Sequence, residues 1–286
     1  MAQGRRITVG RIDYANAWPL FHGLEDHARG MSYELVSRVP SALNALLQQG
    51  KLDVSAISSF SYGRYAEDYV LLPKLSVGSV GRVYSILLFL KQPIEESRPA
   101  KIAVTTASET SINLLKIIMS MRYGFEPEYI PAEPDLDRML ETADAALLIG
   151  DPAIRASWSN HNLHVLDLGE QWNEWTGLGM TYAVVAARRE WVRSAGEDVH
   201  ALYDAMTAAR LANVAHPDLL VDQACRQLGG DENYWRVYFQ ALRYDFDEKL
   251  QRGLGLYFQY AAALGLLKEG VSLSFLEEQF PLKVNE

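Results

Sequence analysis

VPSALNALLQQGKLDVSAISSFSY, residues 39–62, carries the alternation on which the fold rests. Leu43, Leu46 and Leu47 recur at helical spacing, Ser41 stands where a side-chain cap is needed, and Gly50 ends the apolar stripe. Asp53 to Ile57 follows at once and reads as a short buried strand. With Ile7 to Ile12 and Tyr33 to Val36 as strands upstream, the order is βαβ, and crossover helices of this kind join parallel strands.

Outward from this stretch, the apolar run Val83 to Leu90 reads as a further strand, and KQPIEESRPAK (91–101), with two prolines and mixed charge, as a linker. A second α/β unit is expected beyond it, with strands Lys101 to Val104, Tyr129 to Ile130, Ala145 to Ile149 and His164 to Leu166. Its helix, Ser108 to Tyr123, carries an apolar face of Leu114, Leu115, Ile118 and Met121. Met180 to Ala187 is one more apolar strand, and the remainder reads as helices over Asp198 to Val214, Pro217 to Leu228, Asn233 to Arg243 and Asp247 to Leu266. The pattern predicts a two-lobed α/β chain: lobe 1 over 1–91, lobe 2 over 92–182, and a return over 183–286 whose helical tail packs on lobe 1. The apolar strands at 83–90 and 180–187 are expected to be the crossings.

The 286 residues suit two units at roughly 150 residues each. A formal charge of -9 argues against nucleic acid and anionic membrane as partners, so any anionic ligand has to be held by local groups. The start, MAQGRRITVGRIDYANAWPL, lacks the continuous apolar stretch of a secretory signal, and no apolar run approaches the roughly 20 residues of a membrane helix. A cytoplasmic protein is expected, as a monomer or a homodimer. The one cysteine, Cys225, reads as an ordinary helix residue. His22, His27, His161, His164, His200 and His216 form no metal-ligand pair, and no G-x-S-x-G elbow occurs, which disfavours metal and serine-hydrolase chemistry. The aromatic residues of the late helices, among them Tyr234, Trp235, Tyr238 and Tyr257, read as core.

Open α/β sheets bind ligands beyond the carboxyl ends of their strands, and those segments hold the unusual residues. After the first strand comes DYANAWP (13–19), a turn with an amide, Asn16, and two aromatics. The third strand ends in Ser58 and Ser59, either a cap with spare hydroxyls or a ligand-binding helix N-terminus. VTTASETS (104–111) places Thr106, Ser108, Thr110 and Ser111 between a strand and a long helix, where hydroxyls and free N–H groups make an anion site. Gly150 and Asp151 follow another strand, so Asp151 either caps the next helix or turns its carboxylate to the cleft. SVGSVGRVYS (76–85) lacks the spacing of a nucleotide loop, but Arg82 is a candidate carboxylate partner and Ser85 enters the following strand.

GRIDYANAWPL, VPSALNALLQQGKLDVSAISSFSY, SVGSVGRVYSILLF, TTASETSINLLK, AALLIGDPAI and DLGEQWNEWTGL, in this order, resemble the chorismate dehydratase family of menaquinone biosynthesis by the futalosine route. The resemblance runs from the first strand to about Ala187, with one departure: Gly179 and Met180 stand where the family tends to have Pro-Phe. It implies a fold like the type 2 periplasmic binding proteins, with a ligand cleft between lobes and no metal or organic cofactor. It also implies loss of water from chorismate to give 3-[(1-carboxyvinyl)oxy]benzoate, a reaction driven by aromatisation. On that reading Thr106, Ser108, Thr110 and Ser111 hold one carboxylate, while Arg82, Ser85, Ser58 and Ser59 address the other or the departing hydroxyl. Asn16 orients the ring, Asp151 anchors or polarises a hydroxyl, and Thr176 in WTGL joins the binding set. The base is either Asp151 or the substrate's own enolpyruvyl carboxylate, held beside its ring. Three other readings remain: the sister enzyme 1,4-dihydroxy-6-naphthoate synthase, a solute-binding protein that would ordinarily carry an export signal, and a regulator's effector domain that would need a DNA-binding segment.

Overall fold

Helix 40–48 starts two residues earlier than expected. Val39 takes the extended cap conformation and Pro40 fills the first helical position, where a missing N–H costs nothing. Ser41 therefore does not cap; its backbone N–H donates to the Ala107 carbonyl at 3.1 Å, across to the second unit. At the far end Gly50, at φ +70°, turns the chain into the next strand. The computed structural model describes residues 6–159 and 162–276, so His161 lies outside the described residues.

Eleven strands are described: β1 (Ile7–Ile12), β2 (Tyr33–Arg38), β3 (Val54–Ser58), β4 (Tyr69–Ser79), β5 (Ile86–Leu90), β6 (Lys101–Thr105), β7 (Glu128–Ala132), β8 (Ala145–Ile149), β9 (His164–Asp167), β10 (Met180–Arg188) and β11 (Leu242–Arg243). They form a six-stranded sheet in the order β11-β4-β10-β3-β1-β2 and a five-stranded sheet in the order β7-β6-β8-β5-β9. As the helix at 40–48 demands, β3 runs parallel to β1, with Val9 opposite Val54. β10 returns antiparallel between β3 and β4.

β4 is absent from the sequence reading, for a local reason. Pro73 and Lys74 interrupt it, Lys74 adopts φ +56°, and the pairing with β10 slips between Leu71 and Ser76. Two short halves thus replace one legible run. The strand expected over 83–90 is also shortened: Val83 and Tyr84 give their N–H groups to the Asp167 carboxylate, and β5 starts at Ile86. β5 belongs to the five-stranded sheet, so the sheets change between Ser79 and Ile86 rather than at residue 91. They change back before Met180, because β10 lies wholly in the six-stranded sheet. The crossings are the segments ahead of these strands.

Both faces of β5 are covered, as a buried sheet requires. Ile86, Leu88 and Leu90 join the main core, and Leu87 and Phe89 a second cluster with Met139, Ala143 and Leu148. The helix after β6 is α-helical over Glu109–Ile117 and widens to a π-turn over Ile118–Arg122. That extra residue per turn rotates the apolar face: Leu114, Leu115 and Ile118 are buried as expected, whereas Met119 is buried in place of Met121, which is 37% exposed. Beyond β10 the tail is helical, with the two-residue strand β11 interrupting it after helix 232–241. Helix 197–215 lies on the first sheet's side, where Asn213 Nδ2 donates to the Pro19 and His22 carbonyls. Helix 248–263 packs on β10 and reaches the second unit, where the Tyr257 hydroxyl donates to the Thr110 carbonyl at 3.2 Å. No helix among the described residues is long and apolar enough to cross a membrane.

Candidate active site

The carboxyl ends of β1, β3 and β8 meet the start of helix 109–117 around a small cavity of about 30 Å³. Its polar lining is Asn16, Ser58, Ser108, Ser111, Tyr14 and Tyr182, and its apolar lining includes Ile12, Pro40, Ile86 and Ile149. None of the lining residues carries a formal charge. Asn16, from the turn after β1, has its Oδ1 buried without a hydrogen-bond partner, and a buried acceptor in that state is a strong place for a ligand donor.

Ser58 caps helix 59–64 and is held in position by Asn44: the Ser58 N–H donates to Asn44 Oδ1 at 3.0 Å and Asn44 Nδ2 donates to Ser58 Oγ at 2.8 Å. With Ser61 N–H also bonded to that oxygen, both lone pairs are used and the hydroxyl proton is left to donate. Ser108 caps the nine-residue helix 109–117, but its bonds from Ser111 N–H and Oγ are long, at 3.5 and 3.4 Å. Bonds at that limit are weak and are readily exchanged for a carboxylate.

Other expected site residues are engaged elsewhere. Thr110 Oγ1 accepts from the Phe60 N–H at 3.0 Å, which pins the two units together, and Thr110 does not line the cavity. Thr106 is exposed on the turn outside the cavity. Arg82 is not in the cavity: its guanidinium stands over the Tyr84 ring, 3.8 Å from Glu170, with 54% of the side chain exposed. Thr176 closes the end of helix 168–176, its hydroxyl donating to Trp172 O and accepting from Leu178 N–H. Ser85 is buried beside the cavity; its Oγ lies 3.3 Å from Val83 O and takes the Tyr238 hydroxyl at 3.2 Å. Ser59 is buried with Oγ unpartnered and does not line the cavity.

Asp151 is neither the cap expected of it nor a cavity-lining group. Ile149 takes the cap position, and Asp151 Oδ1 accepts from the Ala15 N–H at 3.1 Å across the cleft. The carboxyl borders a separate hollow of about 310 Å³ with Arg11, Asp13, Trp18 and His22. Burial pushes its pKa up to about 6, against the Ala15 N–H and Arg155, which lower it. Burial also pushes the neighbouring Tyr14 up to about 12, with Asp151 and Asp13 adding to the shift, so Tyr14 stays a neutral phenol.

Sequence reasoning passed over three groups. Asn44 sits on the predicted helix with nothing to mark its partner. Tyr182, whose hydroxyl pairs with Ser79 Oγ at 2.8 Å, lay inside an apolar strand. Asp167 had a visible signal, the Asp-x-x-Glu of Asp167 and Glu170 before a helix. It receives the N–H groups of Val83, Tyr84, Gly169 and Glu170, tying the crossing to helix 168–176. Burial raises its pKa despite those bonds. Among the described residues no three His, Cys, Asp or Glu side chains group as metal ligands. A larger surface hollow of about 670 Å³, between residues 63–68 and 265–274, lies away from the strand ends.

Two sheets joined by paired crossings, with a cleft of hydroxyls and a helix N-terminus between them, define an α/β protein of the periplasmic-binding-protein fold. The periplasmic aliphatic sulphonate binding protein of Escherichia coli shares that fold, with a TM-score of 0.67 over 93% of this chain and 94% of that one, at 12% identity. Residues 7–263 match the model of the menaquinone biosynthesis family. Chorismate dehydratase of Thermus thermophilus is 33% identical over 277 residues, covering 92% of this chain and 96% of that protein. The 1,4-dihydroxy-6-naphtoate synthase of the same organism is 28% identical over 236 residues, 78% of this chain and 81% of that protein. The chain belongs to the chorismate dehydratase family of menaquinone biosynthesis.

Proposed function

We propose that this chain is itself a chorismate dehydratase, a hydro-lyase that converts chorismate to 3-[(1-carboxyvinyl)oxy]benzoate without a cofactor. The observation that carries the reading is the lining of the cleft: donors and a helix N-terminus for an anion, one orphaned acceptor, and apolar walls, in a chain 33% identical to a chorismate dehydratase along nearly its whole length. Ser108, Ser111 and the helix 109–117 N-terminus bind one carboxylate of the dianion, and the Ser58 hydroxyl donates to the other. A chorismate dianion has a single hydrogen-bond donor, its ring hydroxyl, and Asn16 Oδ1 is the acceptor that fits it.

The reaction then needs a base and a path for hydroxide. The ring C–H next to the enolpyruvyl ether is acidified through the diene conjugated with the ring carboxylate. The enolpyruvyl carboxylate takes that proton, the electron pair moves into the ring, the C–O bond on the adjacent carbon breaks, and the proton leaves with the hydroxide as water. The Asp151 carboxylate, bonded to Ala15 and bordering a different hollow, supports this substrate-borne base over an enzyme base. Incubating the protein with chorismate and following products by chromatography and mass tests the proposal. Loss of one water to an aromatic enolpyruvyl ether supports it. Tight binding with chorismate unchanged replaces it by a binding role, and neither binding nor turnover moves the naphthoate synthase reading to the front.

A further inference from the structure

The crossing from β4 to β5 carries a residue in an unfavourable backbone conformation just ahead of the cavity. Tyr84 adopts φ +61°, a left-handed geometry that a tyrosine keeps only when its surroundings hold it there. The next two residues are Ser85, buried beside the cavity, and Ile86, part of its wall. Ser85 also reaches the neighbouring strand end. Its carbonyl accepts the N–H of Gly150, another lining residue, at 2.7 Å, and its Oγ takes the Tyr238 hydroxyl. A Tyr84 that relaxed to negative φ would redirect Ser85 and loosen both contacts.

What holds Tyr84 is Asp167, which is 1% exposed and divides its two oxygens between two tasks. Oδ1 accepts from the Gly169 and Glu170 N–H groups at 2.9 and 3.2 Å, which is all that capping helix 168–176 requires. Oδ2 accepts from the Tyr84 N–H at 2.7 Å, and the Val83 N–H is shared between the oxygens at 3.1 and 3.0 Å. Serine or asparagine would cap the helix as well, so the cap does not account for a buried carboxylate. Gly169 tightens the same joint. A Cβ there would stand 2.5 Å from the hydroxyl of Tyr182, which lines the cavity, and 2.6 Å from Gly81 O, so the helix start lies directly on the crossing. We infer that Asp167 is a positioning residue of the cleft: through its second oxygen it keeps Tyr84 left-handed and thereby places Ser85, Ile86 and the Gly150 N–H at the cavity. The inference rests on the dehydratase reading for its effect on turnover, and on the bond geometry alone for the placement.

The test uses Asp167→Asn and Asp167→Ser, both competent caps without the second acceptor oxygen, and Asp167→Asn combined with Tyr84→Gly. Chorismate kinetics and site-resolved amide hydrogen exchange are read on the full chain. Ser58, Ser108 and Ser111, which bind the carboxylates, lie on other segments, so each Asp167 variant is expected to lose about tenfold or more in kcat with KM within about threefold. The Gly150 amide is expected to exchange about tenfold faster or more, while the Gly169 and Glu170 amides, still capped, change by less than about threefold. Glycine takes the left-handed conformation without strain, so adding Tyr84→Gly is expected to recover most of the lost kcat and of the Gly150 protection. Unchanged Gly150 exchange, or kcat within about twofold of the unaltered chain's, in both Asp167 variants overturns the inference. Faster exchange throughout the chain overturns it too, by marking a carboxylate that only stabilises the fold, as does a double variant no better than Asp167→Asn. If the unaltered chain leaves chorismate untouched, the dehydratase reading falls while Gly150 exchange still decides the placement.

Discussion

Replacing Asp151 by Asn changes one charge and keeps the shape and an oxygen to accept the Ala15 N–H. Burial raises the Asp151 pKa from 3.8 to about 6, which means that the folded state binds a proton more tightly than the unfolded state. The stability associated with the protonated carboxyl is complete below the unfolded pKa and is lost as the pH rises through the folded value. A shift of roughly two units is worth at most about 3 kcal/mol at about 1.4 kcal/mol per unit, and solvent screening of a partly exposed carboxylate brings this to on the order of 1–3 kcal/mol. Urea unfolding of the two proteins across a pH series isolates this group, because other titrations cancel in the difference. Asp151→Asn is expected to match the unaltered chain near about pH 4 and to exceed it by on the order of 1–3 kcal/mol near about pH 7. A difference that stays constant with pH would refute a carboxylate whose burial outweighs its Ala15 and Arg155 contacts. The same variant tests the chemistry: turnover within a few-fold leaves the substrate's carboxylate as the base, and collapse with intact binding assigns that role to Asp151.

Asn16→Ala removes the acceptor matched to the ring hydroxyl and is expected to lower kcat by about 100-fold or more with a smaller change in KM, read from steady-state kinetics. Arg82→Ala, by contrast, is expected to leave chorismate KM within about threefold, since that guanidinium lies outside the cavity against Glu170. Asn44→Ala strips the buried Ser58 of both its amide contacts, so a loss of about 1–3 kcal/mol in denaturant unfolding is expected together with a raised KM. Trp172→Ala opens a void beneath Tyr257 and frees the Gly179 carbonyl, with an expected loss of about 3–5 kcal/mol by the same assay.

What the sequence disclosed and what it hid divide along the range of the interactions involved. The leucines at 43, 46 and 47, Gly50 and the apolar run 145–149 are local signals, and each element formed where its spacing put it. Four cavity residues, Asn16, Ser58, Ser108 and Ser111, were legible because strand ends and helix starts are themselves local features. Thr110 carries the same local signal as Ser108, yet its hydroxyl meets Phe60 from the other unit. Arg82 and Thr176 likewise stand outside the cavity, Arg82 beside Glu170 and Thr176 bonded to Trp172 O, contacts that composition does not reveal. β4 and the π-turn at 118–122 were hidden for another reason: a bulge and a widened turn each shift the side-chain period in mid-element, so a single-period reading loses the face.

The absence of charge from the cavity lining bears on why such a site would turn over at all. On the proposed reaction, substrate and product both carry two carboxylates, so every contact to a carboxylate is made equally before and after the chemistry. Strong ion pairs at those positions would deepen both wells without lowering the barrier between them, and would hold the product in place. Serine hydroxyls with long, exchangeable bonds and one helix N-terminus bind the dianion more gently. The group that differs along the reaction is the ring hydroxyl, present in the substrate and absent from the product, and the polar atom left unpaired for it is Asn16 Oδ1. Discrimination between substrate and product then falls on that contact and on the fit of the ring against Tyr14, Ile12, Ile86 and Ile149, where aromatisation flattens the ring.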